Sequence, residues 1–120
     1  MPRIKAGNLK KFTSDIFVTA GAPLSEAETV ADCLVEANLA GHDSHGVLRV
    51  PSYVNEIRRG SLVPGAGIEI FNETGSSAKI DGNRGFGQVV MSEDMNVAIE
   101  KSIRNPIGIV TVTNCGHTGR

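Results

Sequence analysis

Tryptophan is absent from these 120 residues, and the whole aromatic complement is one Tyr and four Phe. Single-stranded nucleic acids stack on rings, so the sequence offers no stacking platform. A surplus of one charge is also missing: 12 Lys and Arg face 13 Asp and Glu, for a net charge of −1. No basic stripe exists to grip phosphates, and nucleic acid is not expected as a partner. No apolar run approaches the roughly 20 residues that span a bilayer, and the N-terminus lacks the apolar core of a signal peptide. No membrane association is expected. Cysteine is scarce too. Cys33 and Cys115 follow no CxxC spacing, and without a signal they read as reduced thiols of a cytoplasmic protein. Cys33 falls in an apolar helical stretch and is expected to serve packing.

What is present is the composition of a globular domain, 40% hydrophobic and 21% charged. Leu9, Phe12, Ile16 and Phe17 recur at helical spacing, with Gly21 as a stop. Ser25 and Glu28 match a capping box, opening a helix that turns Val30, Leu34 and Ala37 inward and ends at Gly41. A third helical segment is expected from about Ser44 to Arg59, carrying Val47, Val50, Val54 and Ile57 before Gly60. Pro51 interrupts it and predicts a kink or an early 3₁₀ turn. Three short amphipathic helices suggest a small bundle.

The pattern changes after Pro64. Ile68–Phe71 and Ala78–Asp81 read as short strands around the turn residues Asn72–Ser77. Gly85–Arg104 reads as a helix with Val89, Val90, Met95 and Ile99 on or near its apolar face. Ile107–Thr113 is a β-branched run that fits a buried strand. The expected fold class is α+β: an N-terminal helical bundle over residues 1–62, then short strands and a βαβ-like unit over 63–120 that begins an α/β catalytic domain. The chain stops in a loop just past a strand, so it is expected to be a truncated part of a larger fold.

Three stretches could carry chemistry. Ser44, as a helix N-cap, would place His45 in a first turn, with Arg49 on the same face four residues on. Arg holds a carboxylate through two parallel hydrogen bonds, and His exchanges protons near neutrality. That pairing suits a 2-hydroxy or 2-oxo acid; the plainer alternative is a capped helix with a solvated His and Arg. The second stretch, Asn114-Cys115-Gly116-His117-Thr118-Gly119, leaves a strand where α/β sheets favour ligands, or else is an exposed turn. The third, Gly82–Gln88, reads GxxGxG rather than GxGxxG and fits a tight strand-to-helix turn better than a phosphate cradle. His42, Asp43, His45, Cys115 and His117 show no metal-ligand spacing, and no metal is expected.

Asp43-Ser44-His45-Gly46 with Arg49 and Tyr53 resembles the Ser-His-Gly-x-x-Arg-x-x-x-Tyr signature of the malate/L-lactate dehydrogenase family. That family also includes sulfolactate, ureidoglycolate and 2,3-diketogulonate enzymes. The likeness continues through Asp81-Gly82, Gly85, Gly87 and Gln88, then Ile107–Val110, Asn114 and Gly116-His117-Thr118-Gly119. The resemblance implies a non-Rossmann oxidoreductase that moves a hydride between NAD or NADP and a small 2-hydroxy or 2-oxo acid. It further implies a homodimer, with the cofactor-binding segments beyond Arg120, so this piece alone is expected to be inactive. By the same resemblance, His45 and His117 match proton-donor and proton-acceptor positions, and Ser44 and Arg49 match substrate-binding positions. The rival reading is a non-enzymatic helical binding or dimerisation module.

Overall fold

The computed structural model describes residues 2–120. Helices α1 (Ala6–Thr19) and α2 (Leu24–Leu39) pack against each other, two 3₁₀ turns follow at Asp43–His45 and Val47–Arg49, and α3 (Val50–Arg59) completes the helical part. Strands β1 (Glu69–Phe71) and β2 (Ser77–Asp81), helix α4 (Gly87–Arg104) and strand β3 (Ile109–Thr113) make up the rest. The first three helices each run into a glycine with positive φ, Gly21, Gly41 and Gly60, a conformation closed to most side chains.

The few aromatic residues are concentrated where they matter. The rings of Phe17 on α1, Tyr53 on α3 and Phe86, just before α4, form a triangle with centroids 5.4 to 6.2 Å apart. Around them lie Ala27, Val30 and Leu34 of α2, all fully buried. Phe86 thus ties the strand-bearing half into the helical core. Burial of a side chain of this size contributes about 1.5–3 kcal/mol.

In the sheet, β1 pairs antiparallel with β2, setting Ile70 opposite Ile80, and β2 pairs parallel with β3, setting Ile80 opposite Val112. The crossover between the parallel strands is α4, so β2, α4 and β3 form a βαβ unit.

Several expectations are corrected. Ser25 and Glu28 form no capping box: α2 starts one residue earlier, at Leu24, and no side chain caps it. Pro23 precedes that start, its φ already fixed near the helical value. Glu26, in the first turn, accepts a hydrogen bond from the Gly65 N–H at 2.9 Å instead. The helical segment expected from Ser44 opens with two 3₁₀ turns, split by extended Gly46, of the kind Pro51 predicted, and regular α-geometry begins only at Val50. Pro51 occupies the first turn of α3, where a missing N–H costs nothing. Ser44 is therefore not a helix N-cap. Cys33 is exposed, at the rim of the apolar stripe of α2.

Strand β3 is not buried. It forms the sheet edge, and its residues alternate between half-buried and exposed. On α4, Val90 is buried, but Met95 and Ile99 are exposed. Met91, Met95 and Ile109 line an open groove of about 310 Å³ that also holds Asp94.

Asp94 is 2% exposed, and neither of its carboxylate oxygens has a hydrogen-bond partner among the described residues. Burial, helped by neighbouring Glu93, pushes its pKa from 3.8 up to about 6. The folded chain therefore holds this proton more tightly than the unfolded chain does. The cost of ionising it is absent below the ordinary carboxylate value, grows as pH rises through about 6, and is complete at pH 7. Asp94→Asn in this chain is expected to raise Tm at pH 7 by at least about 4 °C and to lose that advantage near pH 4. Equal gains at both pH values would show that the charge is not the source.

Candidate active site

The 3₁₀ turns, α3 and the loop after β3 meet at one place. Asn38 near the end of α2 organises the turns: its Nδ2 donates to Asp43 Oδ1 at 2.7 Å, and its Oδ1 accepts from the Val47 N–H at 2.9 Å. A Cβ on Gly46 would overlap that amide, so glycine is required for the close approach. Within the turns, Ser44 Oγ bonds His45 Nδ1 at 2.8 Å, and Arg49 Nε donates to the Ser44 carbonyl at 2.8 Å. Arg49 thus spends Nε on the backbone, and among the described residues its two terminal nitrogens have no partner.

His117 reaches the same place from the other half of the chain. Its loop is fixed by backbone bonds to the glycine-rich turn: Arg84 N donates to Asn114 O at 2.7 Å, and Gly116 N donates to Gly85 O at 2.9 Å. Asn114 Nδ2 adds a bond to Asp81 Oδ1 at 3.0 Å. Gly82, Gly85 and Gly87 are small for a reason: a Cβ on Gly82 would press on Cys115, and one on Gly87 would overlap the carbonyls of Gly116 and His117. The turn is a seat for the histidine loop.

The imidazoles of His45 and His117 lie 5.5 Å apart between centroids, tilted by 36°. His117 Nδ1 is 2.9 Å from the Tyr53 hydroxyl, which in turn accepts from Gln88 Nε2 at 3.0 Å. Desolvation lowers the pKa of His117 below its ordinary value, and the positive charge of Arg49 and the proximity of His45 lower it further. The ring is therefore neutral at physiological pH and able to take a proton. Burial raises the Tyr53 pKa, partly offset by the Gln88 hydrogen bond, so the phenol stays protonated.

Geometry alone makes this a place where a small anion could meet a cation and two proton-exchanging rings. A profile of the malate/L-lactate dehydrogenase family matches residues 4–120. The chain belongs to the malate/L-lactate dehydrogenase family. Among its family relatives, hydroxycarboxylate dehydrogenase B of Escherichia coli is 41% identical over 98% of this chain and 33% of its own length. L-sulfolactate dehydrogenase of Methanocaldococcus jannaschii is 37% identical over 97% of the chain and 34% of its own. The solved malate dehydrogenase structure from Pyrococcus horikoshii superposes with a TM-score of 0.94 at 39% identity, over 98% of this chain and 34% of that one. The chain spans about a third of the length of the relatives it matches.

Of the family-signature residues, Ser44, His45, Arg49 and His117 come together in one place. His42 does not join them; it is exposed, and its ring bonds the Ala40 carbonyl at 3.2 Å. Cys115 faces Gly82 rather than the paired imidazoles. Tyr53 stood in the signature with no role attached, and Gln88 was part of the glycine-rich turn and of the family likeness, again with no role attached. Asn38 gave no signal, because an amide near a helix end is ordinary until its partners are known.

Proposed function

We propose that this chain supplies the carboxylate-holding and proton-moving groups of an oxidoreductase that interconverts small 2-hydroxy and 2-oxo acids with NAD or NADP. The observation that carries it is the convergence of two imidazoles, 5.5 Å apart, beside a guanidinium with two uncommitted nitrogens. Arg49 grips the substrate carboxylate through those nitrogens, a parallel pairing that also fixes the orientation of the C2 hydroxyl. Neutral His117 takes the hydroxyl proton on oxidation and returns it on reduction. Ser44 holds Nδ1 of His45, and the free Nε2 of His45 hydrogen-bonds the substrate oxygen or shares the proton.

The nicotinamide group, when bound, accepts or returns the hydride. Its diphosphate does not fit the glycine-rich turn, because the His117 loop already fills the spaces at Gly82 and Gly87. No residue of this chain is assigned to it.

Assaying the full-length protein with malate, lactate and sulfolactate, each with NAD and with NADP, tests the proposal; failure to turn over any 2-hydroxy acid would overturn it. Arg49→Lys keeps the charge but cannot pair two nitrogens with a carboxylate. A charged hydrogen bond of this kind contributes ~1.5–3 kcal/mol, so kcat/KM should fall about 10- to 100-fold, mainly through KM. Cofactor affinity should not change. An unaltered kcat/KM would remove Arg49 from the substrate site.

A further inference from the structure

The proton on His117 needs a direction, and the structure contains a device that sets it. Gln88 is 6% and Tyr53 3% exposed, so water does not readily replace either partner. Gln88 Nε2 donates to Tyr53 Oη, which leaves the Tyr53 O–H to donate to His117 Nδ1. The neutral ring then carries its one proton on Nε2. In that state Nε2 can donate a hydrogen bond to a 2-oxo group, yet it cannot accept the proton of a hydroxyl. Acceptance at Nε2 requires the ring proton on Nδ1, and Tyr53 must then receive from His117 and donate elsewhere. One buried acceptor lies within the same amide: Gln88 Oε1, which has no hydrogen-bond partner among the described residues. A half-turn of the Gln88 amide exchanges Nε2 for Oε1 and reverses every bond in the chain.

We propose that Gln88 and Tyr53 are positioning residues for His117, a two-way hydrogen-bond chain whose direction decides which ring nitrogen carries the proton. The proposal rests on the functional reading above for what His117 does with that proton, but not for the hydrogen bonds themselves. In one direction the neutral ring can only hydrogen-bond a 2-oxo group through Nε2–H, because giving that proton up would leave an imidazolate. In the other it presents a bare Nε2 to a 2-hydroxy acid; the substrate O–H bond breaks, an Nε2–H bond forms, and Nδ1–H rests on Tyr53 Oη while the phenol donates to Gln88 Oε1. Neither Tyr53 nor Gln88 gains or loses a proton. Reduction runs back through the same imidazolium, whose Nε2–H goes to the 2-oxo oxygen while Nδ1–H stays on Tyr53, so both directions of the reaction use the reversed chain, and a fixed donor such as Lys or Arg in place of Gln88 would block it.

The charged and titratable groups that face His117 are Arg49 and His45 from the 3₁₀ turns and Glu56 from α3; Gln88, from α4, is neutral. A carboxylate at position 88 can only accept. Gln88→Glu in the full-length protein should therefore lock the reversed chain. Nitrogen-15 NMR of the His117 ring should show the neutral form moving from Nε2–H to Nδ1–H. The pKa of His117 in the pH profile of kcat/KM should rise by about one unit, since a nearby negative charge favours the imidazolium. Gln88→Leu and Tyr53→Phe should give a mixture of tautomers and lower kcat about tenfold with KM little changed. Gln88→Glu, at its shifted optimum, should retain more kcat than Gln88→Leu. If all three variants kept the wild-type tautomer and pH profile, Tyr53 and Gln88 would serve packing alone and the proposal would fall. Should Gln88→Glu not fold, Tyr53→Phe, which removes a single oxygen, carries the test. Undiminished activity in His117→Ala would overturn the functional reading while leaving the tautomer measurement intact.

Discussion

His45→Ala and His117→Ala are each expected to lower kcat of the full-length enzyme by about 10²–10⁴-fold, the usual contribution of a positioned acid or base. The double variant should cost little more than either single one. The rings lie 5.5 Å apart, so a substrate oxygen reached by one is within reach of the other. With either missing, the remaining imidazole has a partner but no route for the proton. Groups that act as a unit are non-additive in this way. The measurement is a double-mutant cycle on kcat, with circular dichroism confirming that every variant folds. Losses that simply multiply would mean that the two residues work independently.

Gly87→Ala should be nearly as damaging, although it adds only one methyl group. A Cβ at position 87 would overlap the backbone carbonyls of Gly116 and His117, and backbone cannot swing aside as a side chain does. The loop must shift, taking the imidazole with it and breaking the 2.9 Å contact with Tyr53. Misplacement by about 1 Å can cost 10²-fold in rate, and crowding of this kind costs ~1–3 kcal/mol in stability. We expect kcat/KM to drop by about 10²-fold or more and Tm to fall. The control is Gly7→Ala, where an added Cβ would meet nothing; a Gly87→Ala enzyme as active as that control would show that the seat is not needed.

How much of this was legible in the sequence depends on how far apart the interacting residues lie. The apolar spacing of α2, the glycine stops after three helices and the strand–helix–strand order are local patterns, and they are where the residues said they would be. The failures are also physical. A capping box was expected at Ser25, but Pro23 started α2 before the serine could cap it. The early 3₁₀ turn expected from Pro51 is present, but a helix N-cap expected at Ser44 is not, because Asn38 and Gly46 turn Ser44–His45 into a second tight turn. Strand β3 was expected to be buried by its β-branched composition, and among the described residues it lies at one edge of the sheet with alternate residues half-buried. At the site, the signature placed Ser44, His45 and Arg49 within six positions of one another. The Tyr53 to His117 hydrogen bond joins residues 64 apart in sequence, a relation that no periodicity encodes. Gln88 acquired its meaning only when the core closed over it.

The seam between the glycine-rich turn and the histidine loop also bears on how such a site can diversify. Gly87 lies against the carbonyls of Gly116 and His117, and the Gly116 N–H bonds the Gly85 carbonyl, so a change in either loop calls for a compensating change in the other. The two loops are thereby bound to change together, as one unit of variation rather than two.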